Sequence, residues 1–335
     1  MQPTREAVPE NFSFDLLVVG SGPSGLSCAI EAQKAGLRTV VVEKGCLCNS
    51  IFHFPAHMTF FTTSELLEIG GIPFPCANPK PTRTEALEYY RHVAAHLRLD
   101  VRSYHRVEQI DGSDGSFRVH LRDRFNRTST LKARKIVLAT GYYDLPNPLG
   151  VPGEDLSKVR HYYNDPHPYA GLDVMVVGGK NSAAIAALEL WRHGARVTLV
   201  HRGAGLHEHV KYWIKPDMEN RIKHGEIAAL FGSHLVEIAP DTVVVQTPTA
   251  KLRLDNHFVL AMTGYHPDFS FLERLGIRLE GPERLPALNP ETLESNIAGI
   301  HLAGVLVGGA RTNEVFIENG RAHGQKIAAA LTDAR

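Results

Sequence analysis

The sequence predicts an α/β protein whose chain holds two dinucleotide-binding units, the second inserted in the first. Three observations lead there. A run of strand, glycine turn, helix and strand occurs twice, and the first glycines of the two turns, Gly20 and Gly178, lie 158 residues apart. Each unit is followed by an apolar strand that ends in Thr-Gly-Tyr. The 335 residues give room for two domains at about 150 residues each.

The first unit begins at Phe14-Asp-Leu-Leu-Val-Val-Gly20-Ser-Gly22-Pro-Ser-Gly25. A helix is expected over Leu26 to Ala35, stopped by Gly36, and a second strand over Thr39 to Val42, ended by Glu43. Each position has a task. Gly20 permits a sharp turn, Gly22 a close approach of backbone to pyrophosphate, and Gly25 close packing of helix on strand. The helix N-terminus offers N–H groups to phosphate, and the Glu43 carboxylate can accept from ribose hydroxyls.

The second unit is Asp173-Val-Met-Val-Val-Gly178-Gly179-Lys-Asn-Ser-Ala183. A helix (Ala184 to Arg192), Gly194 and a strand (Arg196 to Val200) follow. Lys180 stands at the second glycine position and must fit the turn without glycine's freedom; Ala183 at the third is tolerated. His201 lies 23 residues after Gly178, as Glu43 does after Gly20, and Arg202 follows it. A carboxylate repels a 2′-phosphate and an arginine accommodates it. The first site therefore suits a dinucleotide with free ribose hydroxyls, and the second NADP(H) over NAD(H).

Lys135 to Tyr142 and Phe258 to Tyr265 are the strands that end in Thr140-Gly141-Tyr142 and Thr263-Gly264-Tyr265. Proline follows both, marking hinges. A short helix (Phe269 to Leu275), a strand (Gly299 to Gly304) and a closing helix (Asn319 to Thr332) are too little for a third domain and return to the first. The expected division is residues 1–150 with 264–335, and residues 151–263 inserted between them, each part a Rossmann-like domain.

Composition narrows the partners. Lysine plus arginine equals aspartate plus glutamate, 36 against 36, which argues against binding nucleic acid. Hydrophobic residues at 43% and charged residues at 21% suit a folded globular chain. Four cysteines exclude a disulfide scaffold. The Met1 to Phe14 stretch lacks a signal pattern and no long uncharged apolar run occurs, so the expectation is a cytoplasmic protein with no membrane partner.

Taken together, these motifs resemble the flavoprotein reductases with two dinucleotide domains, and the size resembles the low-molecular-weight thioredoxin reductases. That resemblance implies FAD in the first domain and NADPH in the second. Several strings are similar to the bacillithiol-disulfide-reductase family: Gly45 to Phe61, Ala139 to Tyr143, Gly178 to Ala183, Met262 to Asp268 and Val315 to Gly320. In that family Lys180 is an ordinary feature. The family is assigned to reducing oxidised bacillithiol with NADPH, and relatives are often homodimers. The resemblance implies FAD on Gly20, Gly22, Pro23, Ser24, Gly25, Glu43, Lys44, Ser50, His57, Val107, Thr140, Gly141, Gly304, Asn319 and Gly320. It implies NADPH on Gly178, Gly179, Lys180, Asn181, Ser182, His201, Arg202 and Gly264. Val305 stands where most related flavoproteins have an aspartate for the flavin chain, leaving the Gly304 N–H to serve instead. The closing helix near Asn319 would aim its N-terminus at the flavin.

The redox sulfur is missing. Thioredoxin reductases carry Cys-x-x-Cys before the second glycine turn; here Arg160 to Tyr169 has no cysteine, which excludes the usual dithiol relay. Relatives of the bacillithiol type place a cysteine in the first glycine loop, and the matching residue is Ser24. The flavin itself is then the redox centre. Cys46 and Cys48 form a Cys-x-Cys that the chemistry admits only weakly, since adjacent-but-one sulfurs are poorly placed to bond; the plainer reading is surface-loop thiols. Cys28 reads as core and Cys76 as inert. No histidine pair, neither His92 with His96 nor His207 with His209, brings the three or four ligands zinc needs. His53 and His57 read equally as cofactor partners or as pocket histidines. The acceptor is a small disulfide or a small redox protein. The alternatives are a reductase of ferredoxin, flavodoxin or quinone, and a non-catalytic FAD/NADPH sensor.

Overall fold

The computed structural model describes residues 13–333; residues 1–12, which hold most of the Met1 to Phe14 stretch, lie outside it. The chain divides into two compact units. The first comprises residues up to Phe52, Met58–Leu145 and from His266 onward; the second comprises His53–His57 and Pro146–Tyr265.

In the first unit β1 (Ser13–Val19) leads through the glycine turn into α1 (Pro23–Lys34) and β2 (Thr39–Val42). Leu16, Leu17 and Val18 are all fully buried, so β1 is covered on both faces, as a central parallel strand must be. Pro23 at the first helical position starts α1, three residues before the expected Leu26. After α2 (Asn49–Phe52), α3 (Arg83–His96) opens on a capping box: Glu85 N–H donates to Thr82 Oγ1 at 3.2 Å and Thr82 N–H to Glu85 Oε2 at 2.7 Å. Then come β3 (Val101–Arg102), β4 (His105–Asp111), β5 (Phe117–Asp123) and β6 (Thr128–Leu138). The sheet runs β3-β2-β1-β6-β5-β4, parallel from β3 to β6 and antiparallel through β5 and β4.

The second unit holds β7 (Val159–Arg160), β8 (Asp173–Val177), α4 (Asn181–Arg192), β9 (Arg196–His201), α5 (Lys215–Lys223) and β10 (Ala228–Phe231). An antiparallel meander of β11 (His234–Ile238), β12 (Thr242–Gln246) and β13 (Lys251–Asp255) precedes β14 (Phe258–Ala261). The main sheet, β10-β9-β8-β14-β7, is wholly parallel. The buried face of α4 is small, with Ala183, Ala184, Ala186 and Ala187, so the helix packs close to the sheet. The His53–His57 segment joins this unit because Ala56 N–H donates to Asn164 O at 2.8 Å and His57 Nε2 lies 3.3 Å from Asp165 Oδ2.

The chain returns to the first unit with α6 (Phe269–Arg274), the β15 (Leu279–Glu280) and β16 (Leu285–Pro286) hairpin, and β17 (Ile300–Leu302), which adds parallel to β6. The expected single closing helix is two: α7 (Ile317–Gly320) and α8 (His323–Asp333). The break has a cause. The Arg321 carbonyl leaves the helical ladder to accept the Ser27 hydroxyl at 2.6 Å.

Two buried cationic or titratable side chains are structural. Lys158 gives all three ammonium hydrogens to carbonyls, of Ala239 (2.9 Å), Pro240 (3.1 Å) and Asn256 (2.9 Å). His301 on β17 donates from Nδ1 to Thr292 O at 3.0 Å, and burial holds its pKa below the usual imidazole value. We expect Lys158→Met to leave three carbonyls without a donor and to destabilise the second unit by about 2–4 kcal/mol, read as a lowered thermal midpoint. His301 should make stability pH-dependent. The unfolded chain binds a proton near pH 6.5 and the folded one resists it, so this stability is complete above that pH and is lost as pH falls. The thermal midpoint should drop between pH 7.5 and 5.5, with a slope of up to about 1.4 kcal/mol per pH unit for each such proton, and His301→Gln should flatten it. An unaltered slope in that variant would count against the assignment.

Candidate functional site

Both glycine turns are built on one contact. A Cβ placed on Gly20 would stand 2.4 Å from Ala139 O, at the end of β6, and one on Gly178 would stand 2.5 Å from Met262 O, just past β14. Both glycines also have positive φ, +106° and +148°. Gly25 is pressed to the turn in turn: a Cβ there would lie 2.1 Å from Gly20 O. Beside Gly22, by contrast, nothing lies within 4 Å of where a Cβ would stand. The start of α1 thus has open space beside Gly22.

In the first unit the turn brings together residues far apart in sequence. Cβ atoms placed on Gly304, after β17, and on Gly320, ending α7, would each lie 2.9 Å from Ser24 Oγ. Thr140 N is 3.3 Å from the corresponding point on Gly20, and Ser50 Oγ 3.8 Å from that on Gly141. Glu43 is buried at the end of β2 and accepts from Ser21 N–H (2.9 Å), Ser21 Oγ (3.1 Å) and Gly45 N–H (2.8 Å). Lys44 pairs with Asp144 at 2.8 Å.

Other expected residues make contacts within the protein. The Gly304 N–H, expected to be available to a flavin chain, donates to His323 Nδ1 at 3.0 Å. Asn319 closes its own turn, its amide held by Phe316 N–H (2.7 Å) and Glu314 O (2.8 Å). Val107 packs into the apolar cluster under β5 and β6. His57 falls in the second unit, exposed beside Asp165. His323 was not singled out from the sequence; the only signal was its place just past Asn319-Gly320.

In the second unit the position equivalent to Glu43 reaches back in the same way. The His201 ring lies 2.4–2.5 Å from where a Cβ on Gly179 would be, and 2.7 Å from the same point on Gly203. The imidazole fills that volume, so a larger residue at 179 would have to displace the His201 ring. Burial lowers the His201 pKa, and Arg202 and then His207 add to the effect. Arg202 is exposed and makes no ion pair among the described residues. Lys180 needs no glycine-like freedom, since its φ is −104°. Asn181 ties down the following loop, accepting from Lys211 N–H at 2.9 Å and donating to His209 O at 3.2 Å, and His207 N–H donates to Gly179 O at 2.9 Å. Ser182 is exposed on the first turn of α4, and Gly264 has φ +86°.

All four cysteines are unpaired. Cys48 is buried, not a surface-loop thiol, with its Sγ 3.4 Å from Ser21 O. Burial pushes the pKa of Cys46 up, that of Cys48 far up, and that of Cys28 to about 12, so none of these three is poised as a thiolate. Among the described residues no group of three His, Cys, Asp or Glu side chains could hold a metal, and no helix is long and apolar enough to cross a membrane.

Residues 17–304 match the family described as pyridine nucleotide-disulphide oxidoreductase. The chain is 43% identical to the bacilliredoxin reductase of Bacillus subtilis (strain 168) over 316 residues, 94% of this chain and 96% of that protein. It superposes on a bacillithiol disulfide reductase from Bacillus cereus with a TM-score of 0.95 at 42% identity, covering 97% of this chain and 100% of the other. The corresponding enzyme from Staphylococcus aureus gives 0.91 at 38%, covering 96% and 99%. A chain with two glycine turns built on the same carbonyl contact, matched over nearly its whole length, belongs to the pyridine nucleotide-disulphide oxidoreductases and, within them, to the group of the bacillithiol disulfide reductases.

Proposed function

We propose that this protein is an NADPH-dependent FAD oxidoreductase that reduces a low-molecular-weight disulfide such as oxidised bacillithiol. The balance is NADPH plus a proton plus RSSR, giving NADP⁺ and two RSH. FAD, when bound, supplies the step between a hydride donor and a sulfur acceptor. The observation that carries the reading is the paired turn: one fold used twice, with a carboxylate closing the first site and an arginine closing the second.

The residues of the first unit fit a flavin dinucleotide. The gap beside Gly22 and the N–H groups of α1 suit a pyrophosphate. Glu43 spends three of about four acceptor positions on the protein, leaving one for a ribose hydroxyl. Ser24, Thr140, Gly141, Gly304 and Gly320 would line the remainder. In the second unit Gly178, Gly179, Lys180 and Ser182 would hold the NADPH pyrophosphate, and Arg202 its 2′-phosphate. The four unpaired thiols support a cytoplasmic protein, and the resemblance to its relatives supports a homodimer.

Two names among the relatives suggest two acceptors, a small thiol disulfide and a bacilliredoxin. Anaerobic mixing with NADPH should bleach the flavin band within one turnover, and NADH should do so far more slowly. A screen with oxidised bacillithiol, a bacilliredoxin disulfide, ferredoxin, flavodoxin and quinone then identifies the acceptor. Fastest turnover with the small disulfide supports the proposal. Ser24 in place of cysteine favours the second reading, in which ferredoxin, flavodoxin or quinone turns over faster. Absence of bleaching would leave a cofactor-binding sensor. Arg202→Leu should lower kcat/KM for NADPH about 10- to 100-fold, the worth of a charged hydrogen bond, while changing that for NADH less than about twofold.

A further inference from the structure

His323 is a half-buried titratable side chain to which the proposed function gives no task. It opens α8, and its Nδ1 accepts the Gly304 N–H at 3.0 Å. An accepting nitrogen carries no hydrogen, so the neutral ring has its proton on Nε2. Burial holds the pKa below the usual imidazole value, and the Lys326 ammonium on the same helix pushes it the same way. The positive end of the α8 dipole opposes an imidazolium too. At neutral pH the ring is thus an uncharged donor. Among the described residues Nε2 has no hydrogen-bond partner.

The ring is also fixed in place. Gly304 adopts φ +67°. A Cβ on Gly324, the next residue, would stand 2.7 Å from the Ser27 backbone, so the first turn of α8 is seated on α1 and cannot slide. Gly304, whose N–H the ring holds, abuts Ser24, and Gly320 abuts the same hydroxyl. His323 therefore connects the start of α8, the turn after β17 and the first glycine loop.

We propose that His323 serves the flavin in two ways: through Nδ1 it fixes the Gly304 turn, and through Nε2–H it donates to the flavin ring system. This rests on the reading that the first unit binds FAD. A neutral, preorganised donor stabilises the reduced flavin, whose ring becomes anionic, more than the oxidised one. His323 thereby raises the reduction potential.

Two substitutions separate the roles. His323→Asn puts an amide oxygen where Nδ1 was, keeping the Gly304 acceptor and losing the outer donor. His323→Gln reaches the outer position with an amide N–H and loses the acceptor. The measurements are the midpoint potential of the bound flavin, the dissociation constant of FAD from apoprotein, and the thermal midpoint of each apoprotein. The Asn variant should bind FAD within about threefold of wild type, with the reduction equilibrium shifted about tenfold toward oxidised flavin, or about 30 mV for a two-electron couple. The Gln variant should keep a near-native potential and bind FAD about tenfold more weakly. An Asn variant with the wild-type potential overturns the proposal, as does a shifted potential that accompanies loss of the folded apoprotein. Wild-type protein that takes up no FAD overturns the underlying reading, and this assignment with it.

Discussion

The packing of a glycine turn on a strand-end carbonyl is the contact that everything else rests on. Gly20 meets Ala139 O, and Gly178 meets Met262 O, at distances that exclude any side chain. The contact sets where a helix begins above its sheet, and the rest follows in space. Glu43 ends β2, Thr140-Gly141 follows β6 and Gly304 follows β17, all at the carboxyl ends of parallel strands. In open parallel sheets that edge is where ligands bind, because helix N-termini and loop N–H groups converge on it.

The two units then diverge in charge at the equivalent pair that ends their second strands. In the first, the residue ending the second strand is a carboxylate that folds back to bind Ser21; in the second it is an imidazole that folds back over Gly179. The backbone geometry is shared and the charge is not. The His201 ring fills a slot between two glycines, Gly179 and Gly203, and burial lowers its pKa. The space beside Gly179 is thus filled by a histidine 22 residues further on.

Much of the frame was legible because it depends on local rules. The turns, their strands and helices and the return of the chain to the first unit all follow from glycine positions and apolar runs. Helix starts were misplaced by up to three residues because Pro23 and Asn181 belong to the first helical turn but carry no apolar signal. The break before α8 was invisible because its cause, the Ser27 hydroxyl, lies 294 residues away in sequence. His323 escaped for the same reason, since its partner is a backbone N–H on another strand. That the side-chain amides of Asn181 and Asn319 hold loops was not legible either, because their partners are backbone groups, which the sequence does not mark.

The missing sulfur constrains the acceptor. Reducing a disulfide takes two electrons and two protons, and a relay cysteine would let a flavin act on a partner it never touches, through a mixed disulfide. Here the glycine-loop position is Ser24, lodged beside Gly304 and Gly320, and the nearby thiols Cys46 and Cys48 are held protonated by burial. Without a thiolate to carry the electron pair outward, the acceptor sulfur must come to the flavin itself. A small disulfide meets that condition more readily than a folded protein, whose disulfide would have to project from its surface. A ferredoxin or quinone escapes the condition, because single electrons cross short gaps without a bond. The identity of one side chain at position 24 thus separates acceptors that must enter the site from acceptors that need only approach it.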